Sequence, residues 1–86
     1  MRSQLLAARA AALFASDLPA GSRPSPALVE ATIAESVRTC GGTRGCVAAL
    51  AAAYGDYPET AVARMRWARS VVQGVYESSP HMALAA

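Results

Sequence analysis

The chain's only two cysteines flank a pair of glycines in "CGGTRGC", residues 40–46. Four kinds of chemistry suit such a spacing: a metal clip, a disulfide staple, a reactive thiol pair, or none beyond a tight turn between two helices. A structural zinc needs four ligands, and the one histidine, His81, lies in the tail "SSPHMALAA", which reads as frayed. No metal is expected. A cysteine or serine nucleophile would need that same histidine as its base, so no catalytic residue is assigned and the chain does not read as an enzyme. A two-glycine turn brings the two thiols into disulfide range without requiring a bridge. Cys46, in the first turn of a helix and two residues from Arg44, has a setting that lowers a thiol pKa. The favoured reading of Cys40 and Cys46 is structural, as small buried side chains at a helical corner, with redox chemistry as the alternative.

A second group of residues suits binding rather than catalysis. The stretch "ETAVARMRWARSVVQGVY" carries Arg64, Arg66, Trp67, Arg69 and Tyr76. On a helix, Arg64 falls at the centre of the apolar arc, between Ala61 and Ala68. It must reach water, pair with a carboxylate such as Glu35, or meet a partner. Trp67 flanks the arc, as a core-edge residue or an interface anchor. Gly74 suits a close helix crossing or a kink.

The elements that position these residues follow from punctuation. An alanine-rich helix over about residues 2–15, with Leu5, Leu6, Leu13 and Phe14 as its bulky members, is ended by "SDLPAGSRPSP". Ser25 and Pro26 start a second helix, whose Val29, Ile33, Val37 and Cys40 share a face until Gly41 and Gly42 stop it. Thr43 is the expected cap of a third helix. Its stripe is Val47, Leu50 and Tyr54, and its left-handed stop is Gly55. Asp56 and Glu59 have the spacing of a capping box for a fourth helix over about residues 57–77. Ala61, Met65, Ala68, Val71, Val72 and Val75 form its apolar arc, opposite Glu59, Arg66, Ser70, Gln73 and Glu77. The expectation is an all-α bundle of four helices, one domain over residues 1–78 with a flexible tail over residues 79–86.

Composition narrows the partners. The chain has 86 residues, 53% of them hydrophobic, and much of that is alanine, which buries little area per residue. A net charge of +2 is far from the dense basic surface that neutralises many phosphates. Gln4 and Arg9 interrupt the N-terminal apolar stretch, so a secretory leader is not expected, and no segment approaches a membrane span. A cytoplasmic location is expected, with no cofactor and no small-molecule substrate.

Residues 45–69, "GCVAALAAAYGDYPETAVARMRWAR", resemble a helix-turn-helix module: an alanine-rich helix, a glycine-containing turn, then a helix with arginines. The resemblance implies DNA binding by Arg64, Arg66 and Arg69. The expected base-reading end of the second helix instead carries Asp56 and Glu59, which leaves only contacts to phosphates. "GGTRGC" followed by "YGDYPETAVARMRWAR" also resembles small uncharacterised cytoplasmic proteins of high-G+C actinobacteria, over most of residues 4–70, and that likeness implies no activity.

The leading expectation is a small, self-associating helical protein-interaction module. The fourth helix would bind itself or another protein through Arg64, Trp67, Arg69 and Tyr76. Gly74 would allow close approach, and Arg64 or Arg69 would pair across the interface with Glu59 or Glu77. A helix-turn-helix-like DNA-binding regulator is the alternative.

Overall fold

In the computed structural model, which describes residues 2–76, four helices pack into one bundle: α1 (Arg2–Phe14), α2 (Pro26–Cys40), α3 (Thr43–Asp56) and α4 (Pro58–Tyr76). The expected tail, residues 79–86, with His81, lies outside the described residues, as does Glu77.

Helix α1 is the centre of the bundle and touches the other three. From residue 10 to residue 14 every side chain is buried, so this half of the helix is apolar all round. Leu6, Ala10, Leu13 and Phe14 meet Ala61, Ala68 and Val72 of α4. The opposite side, Ala11 and Ala12, meets Cys46 of α3, with Ile33, Val37 and Cys40 of α2 packed against them. Alanine on that side explains how one helix can be enclosed by three: a methyl group lets neighbouring backbones approach closely. Leu5, one turn from the enclosed segment, is half exposed rather than a core member.

Helix α2 starts and stops as its sequence directs. Leu28 N donates to the Ser25 hydroxyl at 3.2 Å, and Pro26 takes the first position, where a missing N–H is harmless. At the other end Gly41 is left-handed (φ 79°), and its N–H reaches Arg38 O while Gly42 N reaches Val37 O at 2.8 Å. This pair of bonds is a Schellman stop. Gly42, at φ 120°, then turns the chain directly into α3. Val29, Ile33, Val37 and Cys40 face inward as expected, joined by Ser36.

Four expectations for α3 and its ends are corrected. Gly42 occupies the cap position and Thr43 is already helical, with no side-chain cap. Gly55 does not stop the helix, since its φ is not positive and α3 runs on to Asp56. The break comes at Tyr57 (φ −141°) and Pro58: proline cannot continue α3 but serves as the first residue of α4, where Tyr57 O accepts from Ala61 N at 2.9 Å. Asp56 therefore ends α3 instead of capping α4. The buried face of α3 is also rotated from the expected stripe. Cys46 is inaccessible and Leu50 and Ala53 pack inward, whereas Val47 and Tyr54 are exposed.

The arc expected on α4 is observed. Ala61, Ala68 and Val72 are buried, Met65 and Val71 pack against them, and Glu59, Arg66, Ser70 and Gln73 are exposed. No helix among the described residues is long and apolar enough to cross a membrane.

Candidate functional site

Two constellations singled out by residue type can be located: the arginine and aromatic face of α4, and the thiol pair between α2 and α3.

Arg64 sits within the apolar arc, and its charge is met by backbone rather than by Glu35. Its Nε donates to Phe14 O and its Nη2 to Ser16 O, each at 2.8 Å. These carbonyls lie at and just beyond the C-terminus of α1, where helical carbonyls lack partners and the helix dipole is negative. The guanidinium is thus a cap for α1 supplied from α4. It also lies 5.0 Å from the Trp67 ring centre and 5.7 Å from that of Phe14. Burial lowers the Arg64 pKa and nearby Asp17 opposes that shift. Glu35 has a closer partner in Arg38, its ion-pair neighbour one turn along α2.

Trp67 is half-buried at the core edge, and its indole Nε1 donates to Ser22 O at 2.8 Å. One turn of α4 therefore holds two points of the connection over residues 15–25. Tyr76 is half-buried beneath Arg9 of α1, whose guanidinium carbon is 3.8 Å from the ring centre. Among the described residues, a Cβ at Gly74 would meet no atom within 4 Å, so no helix crossing among them requires that glycine.

Arg66 and Arg69 are exposed and enter no ion pair among the described residues. The first turn of α4 carries Glu59 and no basic residue. Of the binding residues expected on this helix, Arg64, Trp67 and Tyr76 are engaged within the chain, and Arg66 and Arg69 are open to solvent. Two tyrosines outside the expected binding set, Tyr54 and Tyr57, also reach solvent. Tyr57 is 70% exposed and Tyr54 is 37% exposed, stacked on Phe14 with ring centres 6.4 Å apart. The available signal was the dipeptide of Tyr57 and Pro58, which places an aromatic ring outside both helices.

At the second constellation both cysteines are free. Cys46 is fully buried and its thiol lies 3.6 Å from Ser36 O, while Cys40 is half-buried. The expected lowering of the Cys46 pKa is overturned. Burial, reinforced by the adjacent Cys40 thiol, pushes it up to about 11, outweighing the Ser36 contact. Iodoacetamide at neutral pH is therefore expected to label Cys40 at least about tenfold faster than Cys46 in the folded chain, the difference vanishing in denaturant. Peptide mapping of a time course would check this, and equal native rates would contradict the burial. Among the described residues, no three of His, Cys, Asp and Glu gather into a set fit to hold a metal.

Set against known proteins, the chain matches no family model, no curated protein and no solved structure.

Proposed function

We propose that the chain is a small, non-enzymatic helical interaction module of the cytoplasm that self-associates through its α3–α4 hairpin. The observation that carries this reading is the set of large apolar side chains left exposed on that hairpin: Tyr57 at 70%, Val47 at 47%, Val62 at 39% and Tyr54 at 37%. Half-exposed tyrosine suits an interface, because it adds contact area at small entropic cost and keeps a polar tip for water. The contact surface differs from one centred on Arg64 and Trp67, whose donors are already used in holding residues 14–22. Arg69 remains available beside it to pair with Glu59 of a second copy.

Light scattering on a size-exclusion column tests the reading. The wild-type chain is expected to be dimeric at micromolar concentration, and Tyr57→Glu or Val62→Glu to raise the dissociation constant at least about tenfold while leaving helicity unchanged, since both side chains are exposed. A wild-type chain that stays monomeric throughout that range refutes it.

The second reading, a helix-turn-helix-like regulator, is favoured by one observation: Arg66 and Arg69 are exposed on the second helix of the hairpin without an ion-pair partner among the described residues. With an acidic first turn, such binding would rest on phosphates alone and would weaken steeply with salt.

A further inference from the structure

The geometry points to Cys40 and Cys46 as a reversible dithiol site, one that a low-molecular-weight disulfide converts to an intrachain disulfide stapling the end of α2 to the start of α3. Two observations place the thiols together. The first is that Cys40 packs against the buried cluster of Ala11, Ala12 and Cys46. The second is the closeness of the backbones at this corner: a Cβ built at Gly45 would lie 3.1 Å from the Cys40 Cβ and would overlap the Cys40 carbonyl oxygen. The residue before Cys46 is thus already in contact with Cys40, and Gly41 and Gly42 supply the turn that allows it.

Access sets the order of events. Cys40 is half-buried and Cys46 fully buried, so an incoming disulfide RSSR meets Cys40 first. The Cys40 thiolate attacks one sulfur of RSSR, forming a mixed disulfide and releasing RS⁻. Cys46 then yields its proton to solvent and attacks the Cys40 Sγ, forming the intrachain bond and expelling the second RS⁻. The released thiolates take up the two protons. The chain is oxidised by two electrons and RSSR is reduced to two RSH. Excess thiol reverses both steps.

The bond closes a short loop in the unfolded chain, which favours the folded state by restricting its competitor. This makes the corner a redox-dependent control on the stability of the fold.

The test uses the full chain with oxidised glutathione as the probe. Expected results are an intact mass reduced by two hydrogens, a tryptic species joining residues 39–44 to residues 45–64, and a melting temperature raised by roughly 5–10 °C over the reduced chain. Cys46→Ala, which replaces the buried thiol with a small apolar group, is expected to hold a persistent glutathione adduct on Cys40. A persistent glutathione adduct on the wild-type chain, disulfide-linked dimers in place of the internal bond, or an internal bond that lowers the melting temperature would each overturn the proposal. The wild-type readouts stand even if the variant fails to fold.

Discussion

Gly45→Ala is expected to destabilise the folded chain by about 2–4 kcal/mol, the signature of overpacking against atoms that cannot rotate away. The added Cβ would overlap the Cys40 carbonyl oxygen and stand 2.8 Å from its carbon, both backbone. No side-chain rotamer relieves such a contact. Either α3 moves away from the end of α2, drawing Cys46 from its fully buried position, or the last turn of α2 unwinds. For a domain of this size, with total stability of roughly 5–10 kcal/mol, the melting temperature should fall on the order of 15 °C. Gly55→Ala and Gly74→Ala are the controls. Both glycines are exposed and helical, and a Cβ at either meets nothing within 4 Å among the described residues, so each replacement should gain about 0.5–1 kcal/mol from helix propensity. Urea unfolding followed by circular dichroism checks all three, and a Gly45→Ala chain as stable as Gly55→Ala would refute the close contact.

These glycines show what kind of information the sequence carries. Gly41 and Gly42 were legible as a stop because a helix end asks something local of the backbone. Gly45 was not, because its requirement comes from Cys40, five residues back and across a turn. The same division runs through the rest of the fold. The α4 arc and the cap at Ser25 follow from periodicity and from one hydroxyl in the right place. The face that α3 buries depends on how closely it approaches α2, so Cys46, Leu50 and Ala53 turn inward in place of Val47 and Tyr54. Gly55 misled for a related reason: glycine permits a left-handed stop without imposing one, whereas Pro58 forbids α3 to continue. Arg64 was legible as an anomaly, a charge on an apolar arc. Its solution was not, because backbone carbonyls 48 and 50 residues away have no signature in a sequence.

Arg64→Ala is expected to cost about 2–4 kcal/mol, since it removes two charge-assisted hydrogen bonds and leaves the carbonyls of Phe14 and Ser16 without that donor in a partly buried setting. Arg64→Lys should recover less than half of the loss. An ammonium cannot offer donors from two nitrogens held in a fixed plane, and Nε and Nη2 serve different carbonyls. Trp67→Phe supplies the complementary change, because it keeps an aromatic ring on α4 but deletes the donor to Ser22 O. Arg64 and Trp67 restrain the same connection from one turn of α4 and lie against each other, so their effects should be coupled by about 0.5 kcal/mol or more in a double-mutant cycle. Denaturant unfolding of dilute chain, read by circular dichroism, separates this role from one at an interface. If Arg64 chiefly met a second copy, Arg64→Ala would weaken association and leave the unfolding of the dilute monomer unchanged. A cap for α1 predicts the reverse: a large loss in the monomer, with association altered only as far as the fold itself is lost.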